Sequence, residues 1–178
     1  MTAYPKKSAL LIIDIINHFH FEHGEILAKK TFNMITPLKA IKKYFQDNRL
    51  PIIYVNDHYN LWQANLEKII SHCQNDLNRS ILKELCPCDD DYFLIKPKHS
   101  AFYGTALNTL LHQLKINTLV MTGLAGNICV LFSANDAYMR EYKLIIPANC
   151  IASVSEDDQN YALTMMKNVL KADITSFI

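Results

Sequence analysis

The stretch that decides the fold is TLVMTGLAGNICV, residues 118–130, in which five apolar or β-branched residues lead into two glycines and a cysteine. A short run without polar alternation is typical of a strand that is covered on both faces. Glycine suits points where the backbone bends sharply or approaches a ligand closely. The pattern therefore predicts a buried strand that turns into a helix, with Cys129 at the turn, a position suited to chemistry.

Two other polar side chains end apolar runs earlier in the chain. Asp14 follows residues 9–13, and Lys96 follows residues 92–95. Ligand sites of open parallel sheets lie at the carboxyl ends of the strands. We therefore expect a carboxylate, an ammonium group and a thiol at this edge of the sheet.

Apolar runs and helical periodicity alternate along the whole chain. This order predicts an α/β fold over residues 1–178, namely a single-domain, doubly wound, mostly parallel six-stranded sheet with helices on both faces. The predicted strands are residues 9–13, 52–56, 92–95, 118–122, 143–146 and 173–176. The predicted helices are residues 26–45, 61–73 with 79–85, 106–114, 127–141 and 156–170.

Length and composition exclude several classes of function. The chain has 178 residues, half of them apolar, and a net charge of +1. This charge is too small to attract nucleic-acid phosphates or anionic lipid. We therefore expect a small-molecule substrate, no nucleic-acid partner and no membrane partner. The N-terminal residues resemble neither a cleavable secretion signal nor a transmembrane stretch, which predicts a cytoplasmic protein.

Cysteine usage is consistent with that compartment. The odd number of cysteines, five, predicts free thiols. Cys86 and Cys88 are separated only by Pro87, which is too close for the usual zinc pair, so we interpret this segment as a loop in which Pro87 ends a helix. No glycine-rich phosphate-binding motif occurs, and we predict no cofactor.

Three segments together resemble the isochorismatase-like cysteine hydrolase family. The first is a strand that ends in an aspartate, the second begins with a lysine, and the third carries a cysteine directly after a strand. They are residues 9–19, 96–107 and 122–130, and residues 136–138 and 147–153 also fit the family's pattern. The motifs follow one another in the family's order, so the resemblance spans most of the chain.

The resemblance implies Cys129 as nucleophile, Asp14 as general base and Lys96 as the cation that holds both. Elementary chemistry agrees, because a free thiol with a pKa of about 8.5 is only a few per cent ionised at pH 7. A helix N-terminus contributes about 2 kcal/mol at most, so we expect Lys96 to lower the thiol pKa further. Asp14 would oppose that effect and accept the proton as the thiol attacks.

The resemblance also implies an oxyanion site in the cysteine turn. The backbone N–H groups of Ala125 and Cys129 are expected to face the negative charge that develops during the reaction. The family places this loop beside a cis peptide, which here would be the Leu124–Ala125 bond.

Seven further positions are expected to line the substrate pocket: Phe19, Asn56, Asp57, Trp62, His99, Phe102 and Tyr103. Metal-using nicotinamidases of the family carry an aspartate after the second strand, a histidine two positions later and another histidine near the lysine. Here His58 is adjacent to Asp57, and Tyr59 takes the ligand position. We therefore predict no metal.

The leading hypothesis is a cofactor-independent cysteine hydrolase that acts on a small amide or related carbonyl compound through a thioester. The alternatives are vinyl-ether hydrolysis as in isochorismatase, which needs Asp14 but no thiol, a metal-assisted nicotinamidase, and a non-catalytic binding protein with the same fold. Family members commonly form dimers or tetramers, so the resemblance implies a homo-oligomer. The apolar helix over residues 128–139 could pack internally or against a partner.

Overall fold

Six short strands form one parallel sheet in this computed structural model, which describes residues 4–177. The strands are β1 (Ser8–Ile13), β2 (Ile52–Asp57), β3 (Tyr92–Lys96), β4 (Thr118–Leu124), β5 (Lys143–Ile145) and β6 (Ile151–Ala152). Their order is β3-β2-β1-β4-β5, and β6 pairs with the far end of β4. Since β1 lies in the middle and the chain runs outward from it in both directions, the sheet is doubly wound, as predicted.

Six α-helices flank the strands between residues 4 and 177. They are α1 (Gly24–Asp47), α2 (Leu66–Cys73), α3 (Arg79–Leu85), α4 (Leu107–Gln113), α5 (Leu131–Tyr138) and α6 (Glu156–Asn168). The start of α6 shows why such helices begin where they do: the Ser155 hydroxyl accepts the Asp158 N–H at 3.0 Å, and three acidic residues occupy the first turn. Both features satisfy or complement the free N–H groups of a helix N-terminus.

The helices cover both faces of the sheet, because the side chains of each strand alternate between two hydrophobic cores. Leu10 and Ile12 of β1 pack with α1, α2 and α3, whereas Leu11 and Ile13 pack with α4, α5 and α6. Burying one such side chain contributes about 1.5–3 kcal/mol. The predicted α/β fold is confirmed. The strands are continuous apolar runs, without alternating polar residues, because helices cover the sheet on both faces.

Two predicted elements were wrong. The sixth strand is not residues 173–176, where only a single bridge between Asp173 and Ile145 forms, but Ile151–Ala152. The helix predicted over residues 127–141 is interrupted, because a π-helical turn, Gly126–Val130, precedes α5. Such turns are rare and occur frequently at functional sites.

The helix predicted from residue 61 begins later. Trp62 has a left-handed backbone, with a φ of 52°, which a helix cannot contain. The Asn65 side chain instead accepts the Lys68 N–H at 2.9 Å and caps α2, so residues 58–65 form a loop beside the end of β2.

None of the helices between residues 4 and 177 is long and apolar enough to cross a membrane.

Candidate active site

The structure brings the three predicted catalytic side chains together at the carboxyl edge of the sheet. Asp14 directly follows β1, Lys96 is the last residue of β3, and Cys129 lies in the π-helical turn that follows β4. Lys96 reaches across the intervening strand β2 with its four-carbon side chain. Residues that are 33 and 82 positions from Lys96 in the chain thus become direct contacts of its ammonium group.

The Lys96 ammonium is the centre of this group. Its Nζ lies 2.8 Å from Asp14 Oδ2, 3.4 Å from Cys129 Sγ and 3.2 Å from the carbonyl oxygen of Lys98. The Lys96 side chain is 1% exposed and that of Asp14 is 7% exposed. An ammonium group has three donors, so its protons are matched by a carboxylate, a thiol and a carbonyl group in a site with little solvent.

Burial controls the protonation of the site. It raises the pKa of the Asp14 carboxyl, and the charge of Lys96 offsets this only in part. Burial alone would lower the pKa of Lys96, but Asp14 and Cys129 outweigh it, so the net pKa of the ammonium group is raised. Lys96 therefore stays charged.

The thiol is not ionised in advance. Burial, with Asp14 as the next cause, raises the pKa of Cys129 to about 12, although Lys96 does act to lower it. Lys96 and Asp14 thus act in the predicted directions, but burial adds to the effect of Asp14 and together they outweigh Lys96, so the thiol is less acidic than usual. At neutral pH this thiol must lose its proton as it attacks, and a carboxylate whose pKa is raised by burial is a stronger base than an ordinary one.

Asp14 is held in place by its own backbone and by β2. Its φ of 51° is left-handed, a conformation that aspartate adopts more readily than most residues. Its Oδ1 accepts the backbone N–H of Asp57 at 2.8 Å, which leaves Oδ2 facing Lys96. Both carboxylate oxygens thus have a fixed orientation.

The turn that carries Cys129 begins at a close contact between β4 and β1. Gly123 has a φ of 114°, and a Cβ added there would lie 2.0 Å from the carbonyl oxygen of Ile13. Only glycine allows the two strands to approach in this way at the residue before Asp14.

Ser153 and Gln159 support the same turn from outside, a role that the sequence analysis missed. The Ser153 hydroxyl accepts the Asn127 N–H at 3.1 Å and donates to Gln159 Oε1 at 2.8 Å. Gln159 in turn donates to the Ile151 carbonyl at 3.1 Å. The match of residues 147–153 to the family pattern was the available signal for Ser153, whereas Gln159 had none.

The predicted cis peptide is wrong, because every peptide bond among residues 4–177 is trans, including Leu124–Ala125. Within the turn, the N–H groups of Ile128 and Val130 both donate to the Ala125 carbonyl. The oxyanion role of the Ala125 and Cys129 N–H groups stays a prediction.

The seven predicted pocket residues fall into two groups. Phe19, Asn56 and Phe102 are buried, whereas Asp57, Trp62, His99 and Tyr103 are partly or fully exposed. The Asn56 side chain is occupied by both backbone groups of Ile16, at 3.1 and 2.9 Å, so it secures the loop after β1. Phe102 packs in the core, under the guanidinium group of Arg140. These three therefore shape the site through packing and backbone contacts.

The exposed residues lie in the segments that surround the edge. Asp57 Oδ1 accepts the Tyr59 N–H at 2.7 Å. Trp62 is 66% exposed and stacks on the His58 ring, with a centroid distance of 4.0 Å. The His99 ring lies 5.7 Å from that of Phe132, one turn of helix beyond Cys129. Aromatic surface is thus available on two loops for an apolar part of a ligand.

The geometry around Asp57 does not resemble a metal centre. His58 Nδ1 accepts the Asn60 N–H at 3.0 Å, and the ring is covered by Trp62. Across residues 4–177, no three histidine, cysteine, aspartate or glutamate side chains are arranged to hold a metal ion.

Known proteins resemble this chain in sequence. A family model described as Isochorismatase domain matches residues 8–176. The isochorismatase family protein YaaI of Bacillus subtilis (strain 168) is 56% identical over 168 residues, which are 94% of this chain and 93% of the relative.

Solved structures extend the likeness to three dimensions. The nicotinamidase SaPncA from Staphylococcus aureus superposes with a TM-score of 0.75 at 25% identity, over 98% of this chain and 100% of that one. The N-carbamoylsarcosine amidase from Thermoplasma acidophilum superposes with a TM-score of 0.73 at 28% identity, over 96% of each chain.

Proposed function

The chain belongs to the isochorismatase family of hydrolases, and within that family we propose that it is a cysteine-dependent amidohydrolase of a small amide or related carbonyl compound. The observation that carries the proposal is the Lys96 ammonium, which contacts a buried carboxylate at 2.8 Å and a thiol at 3.4 Å. The similar nicotinamidase and N-carbamoylsarcosine amidase are both named for amide substrates, which supports a C–N bond as the target.

In the proposed mechanism, Cys129 Sγ attacks the carbonyl carbon as its proton passes to Asp14. The N–H groups of Ala125 and Cys129 stabilise the oxyanion, a contribution of about 10²–10³ in turnover per donor. Asp14 then protonates the leaving nitrogen, and a thioester forms. Water attacks the thioester with Asp14 as base, and the thiol is regenerated. Lys96 keeps Asp14 oriented and offsets its negative charge.

The substrate is small in this proposal. Asp14 and Lys96 are almost completely buried, and Cys129 is only partly accessible. This limited accessibility favours a primary amide or a carbamoyl group over a peptide bond within a chain.

The test is ammonia release from a panel of primary amides and carbamoyl compounds, including nicotinamide and N-carbamoylsarcosine. We expect at least one compound to be turned over, and Cys129→Ala to lower kcat about 10³-fold or more. Cys88→Ala, which removes an exposed thiol elsewhere, is the matched control and should leave turnover unchanged. Added hydroxylamine should intercept the thioester and give a hydroxamate.

The outcome also separates the alternatives. Cleavage of isochorismate without ammonia release, if it survives Cys129→Ala but not Asp14→Asn, would favour acid-catalysed vinyl-ether hydrolysis. Turnover that chelators abolish would favour a metal-assisted reaction. A protein that binds compounds from the panel but converts none would be a binding protein.

We further propose that the chain forms a homo-oligomer through the outer faces of α5 and α6. Phe132 on α5 is exposed, and so are Tyr161, Met165 and Val169, which are spaced four residues apart and form one stripe along and just beyond α6. A large exposed apolar patch commonly marks an interface. Sedimentation should show a dimer or larger species, and Tyr161→Lys should weaken it. A monomer at all concentrations would contradict the proposal.

A further inference from the structure

A second group of reactive side chains lies at the opposite edge of the sheet from Asp14, Lys96 and Cys129. Cys86 and Cys88 belong to the loop that leads from α3 into β3, and Lys96 is at the other end of that strand. Four residue steps along a strand span about 13 Å, so the two sulfur sites are separate. Cys88 is exposed, Cys86 is half-buried, and both are free thiols.

The Cys88 sulfur is met by two N–H donors from α1. Lys42 Nζ lies 3.5 Å from it, and Gln46 Nε2 lies 3.7 Å from it. An ammonium group and an amide N–H are both donors that a sulfur atom can accept from, and a cationic neighbour is a common feature of reactive cysteines.

Lys42 is itself fixed in position. Its side chain is 7% exposed, and its Nζ also contacts the Cys86 carbonyl at 2.7 Å and Asp91 Oδ2 at 3.0 Å. The same Asp91 oxygen accepts the Cys88 N–H at 2.8 Å. The carboxylate reduces the field of the ammonium group at the sulfur, but it also holds the loop so that Cys88 stays beside Lys42.

The two thiols differ in accessibility and in how burial affects them. A surface cavity of about 410 Å³, lined in part by Gln46, Cys88 and Asp91, gives small molecules access to Cys88. Burial raises the pKa of Cys86, although Lys42 acts to lower it, so Cys86 stays a protonated thiol. Oxidisable cysteines are typically accessible and placed beside a second cysteine that resolves the first product.

We propose that Cys86 and Cys88, with Lys42, form a peroxide-sensitive dithiol. In the first step, the Cys88 sulfur attacks a hydroperoxide, and with hydrogen peroxide it becomes a sulfenic acid while one water leaves. In the second step, the Cys86 sulfur attacks the Cys88 sulfur, the S–OH bond breaks, and a second water leaves. Two thiols thus lose two electrons in total, and one peroxide is reduced to two waters.

The experiment treats the Cys129→Ser protein with a small excess of hydrogen peroxide, so that the active-site thiol cannot contribute. We expect the intact mass to fall by two hydrogens, with the loss restored by dithiothreitol and located in the peptide that contains residues 86–88. In the additional variant Cys86→Ser, dimedone should instead trap a sulfenic acid at Cys88. Oxidation of Cys73 or Cys150 ahead of Cys88, or a Cys88 product that never pairs with Cys86, would overturn the proposal.

The role of Lys42 is tested by rate. Lys42→Met should slow the oxidation of Cys88 about tenfold, the equivalent of one charge-assisted hydrogen bond. Lys43→Met, which removes the neighbouring exposed lysine, is the matched control and should leave the rate unchanged. Since loss of the Lys42–Asp91 pair could prevent folding, Gln46→Leu provides a second variant, for which a smaller slowing is expected. An unchanged rate in every folded variant would refute the role of these donors.

Discussion

The buried pair between Lys96 and Asp14 makes a sharp prediction for stability. Lys96→Met removes the ammonium group and leaves a carboxyl that is 7% exposed without its cation. Breaking a buried pair in this way costs about 3–5 kcal/mol. Because burial already raises the pKa of Asp14, the carboxyl can reduce the cost by taking a proton, so we expect about 3 kcal/mol. For a chain of 178 residues this corresponds to a fall in Tm of about 6–12 °C.

The pH dependence of this variant has a definite sign. A carboxyl group with a raised pKa holds its proton in the native state and releases it on unfolding, so the unfolded state gains stability as pH rises. The free energy of unfolding of Lys96→Met should therefore fall from about pH 4, the ordinary carboxyl pKa, up to the pKa of Asp14 in the folded variant. The unmodified protein shows the same fall only up to the lower pKa that Asp14 has beside Lys96, so the difference between the two proteins grows above that pKa.

Urea unfolding followed by circular dichroism between pH 4 and pH 8 measures both effects. Lys43→Met is the matched control, because it breaks an exposed pair with Asp47 at 3.0 Å in which the side chains are 72% and 58% exposed. Its cost should not exceed about 0.5 kcal/mol. The double variant Asp14→Asn/Lys96→Met should be more stable than Lys96→Met at pH 8. Equal losses in the buried and the exposed variant, or additive losses in the double variant, would refute the reasoning.

Three other predictions concern the same edge of the sheet. Asp14→Asn should lower amide turnover about 10²–10⁴-fold because the general base is lost. The same variant should react faster with iodoacetamide at Cys129, because Lys96 then acts on the thiol without an opposing carboxylate. Slower alkylation would contradict the assigned electrostatics. The acid limb of kcat/KM against pH should lie above the ordinary carboxyl pKa of about 4, since burial raises the pKa of Asp14, and a limb at or below pH 4 would exclude Asp14 as the base. Gly123→Ala should destabilise the protein by several kcal/mol in thermal unfolding, because the new methyl group would lie 2.0 Å from the Ile13 carbonyl oxygen; a cost below about 1 kcal/mol would show that the strands can separate there without loss.

Local pattern was sufficient for most of the fold. Buried parallel strands such as β1 and β4 are continuous apolar runs, and their lengths were predicted to within two residues. The errors fell where the signal was short or where tertiary contacts decide. The β6 strand has only two residues, and it forms because residues 151 and 152 meet the end of β4.

The π-helical turn is a second element that distant contacts decide. Residues 127–141 have helical periodicity, but the turn at the start of this stretch is held by a hydrogen bond to Ser153, which Gln159 holds in turn, and both residues lie outside the stretch. No local window contains both partners. The contact between Asn56 and Ile16 is another example, because the sequence shows a polar residue at a strand end but not that a backbone group lies opposite it.

The sequence by itself determined which chemical groups this protein places at the ends of its strands, because the order of apolar runs specifies a parallel sheet and the residue after each run lies at one edge. Only the tertiary structure decided how those groups titrate. Burial, with Asp14 as the next cause, raises the pKa of the Cys129 thiol to about 12 and outweighs the lowering expected from Lys96, a balance that no local stretch of sequence shows. Desolvation depends on all the atoms that exclude water from a site, and these come from distant parts of the chain.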